Sequence, residues 1–540
     1  MKYLVFLFFV VLSPVISKGQ FSKYELSAPI EIPTVGWNKL LQMSNGNTLL
    51  FHMEPRIPIV VKVFDSSRKE VSSRRHVTKV VRPRDFERGS FDGLFEVNGE
   101  AILFLSAHVD NKETLVRLHF DSKTGALLHE DKVIVSESFQ KKALSYVLHH
   151  KKADGYAVVT MKNFRDFIDE KTKEQVVLYR FDKNHNQTRE MVADLGYKDY
   201  DDIGFSGASM ASNGSVNMTF KLIKYVEYPN TFNRYLATCF NNKNDTSITI
   251  VKAKMNSDLS PYYSQYTYNS FDNYHQVFLV NSLAGYYKHG LSNIAVTHFS
   301  NLMSIYSASD LSVSAHKYIE NVEATKFYSK YRTEVGVRAE LAAKYFFSDN
   351  YGNTIIVSEE HADRKQVKID NRSFSMLGNI SVTKVMGNGN ESWGVMLPKK
   401  QMVPNYLSAN TIFYRSRAIN IFRTSDPLVE QVNNYASFYS FSSDRELFVV
   451  YNDLKQNFSN PIEEQVDTLY DCTTADATYY TIDSKSSIAK FKLYDKEDST
   501  TRAIYIEASD FDDKRKVYAA LMLHTIDDEN SEMKISWHYK

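Results

Sequence analysis

Short apolar runs broken by polar turns recur along almost the whole chain, and hardly any stretch keeps a sustained helical period. One unit is plain in EVNGEAILFLSAHVDNKETLVRLHFDSKTGALLHEDKV, Glu96 to Val133. A turn at Asn98-Gly99 starts a strand and a polar loop follows. Then LVRLHF runs into Asp-Ser-Lys-Thr-Gly and out along another strand. Asn and Gly mark such turns because they tolerate the positive φ of tight hairpins.

The unit repeats. Its first turn recurs at Asn45-Gly46, Asn98-Gly99, Asp154-Gly155 and Asn213-Gly214, with 53, 56 and 59 residues between glycines. A second marker, an aromatic followed by a turn-former, recurs at Phe64-Asp65, Phe120-Asp121, Phe181-Asp182 and Phe240-Asn241, spaced 56, 61 and 59. Later copies are blurred: Ala284-Gly285 with Tyr306-Ser307, then Tyr351-Gly352, then YASFYSFSSDRELFVVYNDL followed by AKFKLYDKEDSTTRAIYIEAS.

A period of this size built from about four strands predicts an all-β fold, a β-propeller whose blades bury their faces against one another. Nearly continuous apolar strands such as AILFL and VVLYRF fit sheets covered on both sides. The expectation is about seven four-stranded blades, with eight as the alternative count, in a single domain over residues 20–540. The segment Phe21 to Pro33 is placed to add a strand to the last blade and close the ring. Tandem β-sandwiches are the other architecture, but they would show linkers, and no Pro/Gly/Ser-rich stretch is present. The stretches DNYGNTIIVSEEH, NISVTKVMGNGNESWGVMLPKKQ and ELFVVYNDLKQNF, between Ala339 and Phe458, resemble secreted bacterial β-propeller-like proteins without assigned activity. That resemblance implies export and fold, and no mechanism.

The N-terminus agrees with export. Lys2, the apolar run Tyr3 to Leu12 and the small-x-small site Ser17-Lys18-Gly19 read as a signal peptide over residues 1–19, a retained anchor being the alternative. No later segment is apolar for long enough to span a bilayer, so a secreted or periplasmic protein is expected. Lys+Arg of 65 against Asp+Glu of 64 leaves no basic surplus, which argues against nucleic acid as a partner. Cys239 and Cys472 can form one disulfide at most, and two free thiols are expected.

Candidate chemistry is sparse. GASMAS, Gly207 to Ser212, resembles the motif around the nucleophilic serine of subtilisin-like proteases. However, Ser209 is followed by the Asn213-Gly214 turn and the alternating SVNMTF, so a strand is the better reading. His149-His150 would point to opposite faces of a strand. Glu359-Glu360-His361 lacks the second histidine of H-E-x-x-H. The acidic groups Asp199-Asp201-Asp202, Asp510-Asp512-Asp513 and Asp527-Asp528-Glu529 lack calcium-loop spacing and read as solvated turns. No cofactor is therefore expected, and a structural calcium has no support.

The most distinctive surface candidate is SPYYSQYTYNSFDNYHQ. Tyr262, Tyr263, Tyr266, Tyr268 and Tyr274, with Tyr286 and Tyr287 beyond, offer flat faces and hydroxyls that could hold a sugar or a protein. The competing reading is a strand with alternate tyrosines in the core. The sequence thus points to a monomeric binding or interaction module for an extracellular glycan, peptide or protein. The alternative is a hydrolase or lyase for polysaccharide or peptide with its site at the channel mouth.

Overall fold

The computed structural model describes residues 20–31, 37–53, 59–80, 90–109, 112–135, 143–162, 176–196, 199–227, 231–255, 261–269, 274–289, 292–307, 309–331, 341–349, 351–369, 372–404, 435–461, 466–495, 500–527 and 530–540. The expected signal peptide lies outside them.

Among the described residues the strands form eight antiparallel sheets, the blades of a β-propeller. Blades 1 to 7 occupy residues 37–76, 90–135, 143–193, 202–254, 261–319, 341–404 and 438–492, each with four consecutive strands. Blade 6 carries a fifth, Gln401–Pro404, paired to the strand Arg372–Val385. Blade 8 takes three strands from residues 501–539, and the N-terminal strand Lys23–Leu26 completes it by pairing with Ser531–Tyr539. The first strand of every blade touches the first strand of the next, and the circuit returns from blade 8 to blade 1. First strands therefore line the axis.

The expected count of seven is corrected to eight. Blades 1 to 5 begin at residues 37, 90, 143, 202 and 261, a compact repeat that leaves room for three more blades despite the insertions. Blade 8 also draws one strand from the other end of the chain, so it needs less C-terminal sequence than a full unit.

Burial follows from position in the blade. The strand Thr48–Met53 is buried throughout, while the outermost strand Glu70–His76 is mostly exposed and charged. Charge on the outer strands blunts edges that could otherwise pair with another sheet. Each blade-to-blade interface has its own apolar cluster, from Leu49, Phe51 and Leu103 between blades 1 and 2 to Leu40, Leu521 and Trp537 between blades 8 and 1.

The two sequence markers have distinct causes. The first is a hairpin turn; at Asn98-Gly99 both residues have positive φ, 51° and 82°, as a two-residue turn requires. The second is an aspartate whose carboxylate accepts backbone N–H groups ahead of it. Asp65 accepts from Ser67 and Lys69, Asp182 from Asn184 and Asn186, and Asp483 from Lys485 and Ser487. In blade 5 the expected first turn fails, because Ala284 and Gly285 lie inside the strand Tyr274–His289. The link between that strand and Pro261–Asn269 falls at residues 270–273, outside those described.

Polar straps join the blades near the axis. Lys39 Nζ donates to the carbonyls of Glu507 and Ser509 at 2.7 and 2.9 Å. Ser209 lies on the first strand of blade 4, Asp202–Met210, and its Oγ accepts the backbone N–H of Tyr266 in blade 5 at 2.9 Å. The strand reading of GASMAS therefore holds. Its glycine has a packing reason: a Cβ on Gly207 would come within 2.6 Å of Ser264 Oγ and 2.8 Å of Ser264 O. At the junction of blades 6 and 7, Lys399 Nζ meets Glu359 Oε1 at 2.5 Å with both side chains fully buried. Ser437 Oγ donates to the other oxygen of Glu359 at 2.6 Å. Cys239 and Cys472 are both free and buried, in the separate clusters between blades 3 and 4 and around Tyr435.

Gly207→Ala should cost about 1–3 kcal/mol by overpacking the blade 4–5 contact, measured as a lower urea midpoint. Lys399→Met should cost about 3–5 kcal/mol by leaving the buried Glu359 without its cationic partner, and adding Glu359→Leu should restore most of that loss.

Candidate functional site

The turns of blades 3 and 4 enclose a cleft of about 240 Å³ lined by Asp154, Tyr156, Arg180, Asp182, Arg189 and Lys243, among others. Gly155 sets its floor. It has φ of 111°, and a Cβ there would stand 2.2 Å from Phe181 O, so the first turn of blade 3 lies directly against the second. Tyr156 then stacks on Phe181 with ring centroids 5.0 Å apart and planes 8° apart.

Arg180 is the unusual member. It occupies an alternate position of the apolar strand Val176–Phe181, so the pleat turns it inward with Val176 and Leu178. Its Nε donates to Asn241 Oδ1 at 2.6 Å, and its two terminal nitrogens donate to Gly214 O and Asn241 O at 2.8 Å each. None of these acceptors is ionised. Burial, reinforced by Arg189, pulls the guanidinium down to about 10. Three bonds use three of five N–H donors, so the group retains both charge and donor capacity. The carboxylates along the cleft already have partners. Asp154 pairs with Lys243 Nζ at 3.1 Å. Asp182 caps its own turn; although some desolvation opposes ionisation, bonds from Asn186 hold its carboxyl below the ordinary range.

Tyr156 connects this cleft to a second polar group between blades 2 and 3. Arg117, at an alternate position of Lys112–Asp121, donates to Tyr156 Oη and grips Asp131 in a fork at 3.0 and 2.7 Å. Two residues further on, His119 Nδ1 lies 2.9 Å from Glu100 Oε2. His185 Nε2, from the turn of blade 3, lies 3.7 Å from the same oxygen. The two imidazole centroids are 4.4 Å apart. Burial, with help from His119 and Arg117, lowers His185 to about 4, and burial likewise lowers His119. Both rings are neutral near pH 7.

The tyrosines expected to bind are distributed differently. Tyr266 is 2% exposed and its hydroxyl meets His275 Nδ1 at 2.7 Å in the core between blades 4 and 5. Tyr268 packs half-buried against that same core, whereas Tyr274 packs against the core between blades 5 and 6. These three do not share a surface. Tyr262 and Tyr263 lie on the strand Pro261–Asn269, and Tyr286 and Tyr287 on Tyr274–His289, with side chains outside the described residues. The His149 ring stacks on Phe95 at 4.1 Å, and Asp510 binds Lys151 and the backbone of Gln42.

The sequence reading missed Arg180, His119 and His185. For the first two the signal was present: a cation or imidazole at an alternate position of an otherwise apolar strand, in VVLYRF and LVRLHF. His185 had none, because only the ring places its turn beside blade 2.

No known sequence family matches the chain, and no curated protein matches it either. Solved structures share the propeller architecture at low identity. A prolyl oligopeptidase B from Galerina marginata is 9% identical with a TM-score of 0.38, covering 92% of this chain and 55% of that one. The chain thus spans about half the length of the peptidases it resembles. A Burkholderia pseudomallei lectin is 8% identical (TM-score 0.33, covering 86% of this chain and 97% of the lectin). A Hadza microbial sialidase is 11% identical (TM-score 0.31, covering 65% and 67%). These likenesses concern the fold alone.

Several histidines are held neutral by burial: His149, His185 and His275 at about 4 and His538 at about 3. Their folded values lie below the unfolded 6.5, so the unfolded chain binds more protons between about pH 4 and 6.5. Stability should be complete above that window and fall as pH drops through it, by at most about 1.4 kcal/mol per pH unit for each group. Because neither nitrogen of His538 has a partner, His538→Phe should flatten the acid limb of urea midpoints measured from pH 7 to 4.5.

Proposed function

We propose that this chain is an exported, monomeric β-propeller binding module whose cleft between blades 3 and 4 takes a carboxylate-bearing extracellular ligand, an acidic glycan or an acidic peptide. One observation carries the reading: Arg180 stands at the cleft as a buried guanidinium bonded only to neutral acceptors. Such a group gains most from an anionic partner, because a desolvated charge interacts strongly with a fork-shaped acceptor. Arg189 adds positive charge at the same cleft, where Lys243 is paired with Asp154. Export rests on the N-terminal run from Lys2 to Gly19.

Binding is favoured over glycoside hydrolysis because the ordinary glycosidase site needs two carboxylates free to exchange protons or attack. Those of the cleft, Asp154 and Asp182, are committed to Lys243 and to the turn at residues 182–186.

Calorimetric titration with uronic-acid oligosaccharides, their neutral counterparts and acidic peptides tests this reading. The acidic member of one class should bind, and Arg180→Lys, which keeps the charge but loses the fork, should weaken it about tenfold or more. Arg189→Ala, at a less buried position, should weaken it less without unfolding the blade. Equal binding of neutral and acidic ligands, or full affinity in both variants, would sink the proposal.

A further inference from the structure

We propose that Glu100, His119 and His185 form a binding site for a divalent transition metal of the zinc class, tying blade 2 to blade 3. The three residues offer one donor atom each, all within 4.8 Å of one another. A tetrahedral ion with bonds of about 2.1 Å holds its donors about 3.4 Å apart. Glu100 Oε2 already stands 2.9 Å from His119 Nδ1 and 3.7 Å from His185 Nε2, on either side of that value. The Glu100 side chain is 37% exposed and has room to rotate as an ion is seated.

A second observation points to a ligand. His185 Nε2, the nitrogen that faces Glu100 Oε2, is buried and without a hydrogen-bond partner. His119, whose Nδ1 faces the same oxygen, is itself 5% exposed. Buried imidazole nitrogens are ordinarily bonded, because an unmet polar atom costs about 1–3 kcal/mol. An orphan imidazole nitrogen facing a carboxylate that a second imidazole also faces is the pattern that a coordinated cation resolves. Imidazole donors select zinc, copper or nickel over calcium and magnesium, which prefer oxygen. Arg117 is a fixed positive charge beside the cluster, and its two bonds to Asp131 partly offset it. Tyr156 Oη lies 3.5 Å from His185 Nδ1, placed to orient that ring from behind.

The site spans two blades, so occupancy has a structural readout independent of any activity. Glu100 opens the second strand of blade 2, His119 lies on its third strand, and His185 projects from the last turn of blade 3. The φ of 65° at His185 is the ordinary geometry of that turn; Arg68, Leu311 and Ser486 hold the same place in blades 1, 5 and 7 at 67°, 57° and 65°.

The test uses the whole chain from residue 20, stripped with EDTA and titrated with zinc alone by calorimetry, with thermal unfolding in parallel. One equivalent should bind with micromolar or tighter affinity and raise the unfolding midpoint, whereas calcium should do neither. Cobalt in place of zinc should give the d–d absorption of a tetrahedral nitrogen–oxygen site. His185→Asn tolerates positive φ, and Glu100→Gln changes a partly exposed position; both should fold, and each should weaken zinc at least tenfold. Absence of binding at micromolar zinc overturns the proposal. So does binding that survives unchanged in both variants, since the zinc would then sit on other histidines.

Discussion

The ring depends on one pairing between distant parts of the chain. Lys23–Leu26 hydrogen-bonds along Ser531–Tyr539 and supplies the outermost strand of blade 8. Each blade is a small sheet that cannot cover both of its faces, and its two neighbours complete the core. An open ring would leave two faces bare; a closed ring leaves none. The residues around the seam reflect that burden. Phe21 lies among Phe448, Tyr479 and His538, and Trp537 Nε1 donates to Thr48 in blade 1 at 2.9 Å. Arg68 of blade 1 donates to the Tyr539 hydroxyl, which in turn donates to Glu25. Blades 7, 8 and 1 and the N-terminal strand are thereby coupled through one set of side chains.

Elsewhere the same requirement is met by straps of polar groups that reach across an interface to backbone carbonyls. Lys39, Lys344 and Arg180 all do this, towards Ser509, Phe438 and Gly214 respectively. Asn452 does so in both directions, donating to Ile504 O and accepting from Ile504 N. A polar side chain on an inward face is costly unless every donor finds an acceptor, and the turns and strands of the next blade provide acceptors at fixed positions. The candidate sites are places where this matching is incomplete. Arg180 bonds to no carboxylate, and His119 and His185 keep nitrogens without hydrogen-bond partners. Function can be grafted onto a repeat scaffold where one unit departs from full satisfaction.

How much of this was legible in the sequence depended on how local the cause was. Turns were legible, because Asn98-Gly99 and Asp182 carry their signal within two to four residues. The strand around Ser209 was legible for the same reason. Blade 5 was not, since Ala284 and Gly285 look like a turn but lie within a sixteen-residue strand paired to Thr297 and Val296. The number of blades was hard to read because the last one is assembled from both ends of the chain. Tyr266 was ambiguous in a similar way. Tyr266 offers a hydroxyl to any binding argument, yet His275, nine residues away on the adjoining strand, takes that hydroxyl inside the core. The histidine cluster could not be read as a cluster, because His185 meets residues 100 and 119 only when two blades stack.

The closing strand also fixes how the molecule would respond to force. Because Lys23 faces Tyr539 and Leu26 faces Ser536, the chain enters and leaves the propeller at the same end of one strand pair. Tension applied between residues 20 and 540 would load the first hydrogen bonds of that pair before the others. The seam would open like a zipper, one bond at a time, and offer little resistance. Force transmitted across the blades, from one rim to the other, would instead have to part apolar interfaces in unison. The propeller is therefore mechanically anisotropic: weak when drawn by its two ends, and strong when loaded through its faces.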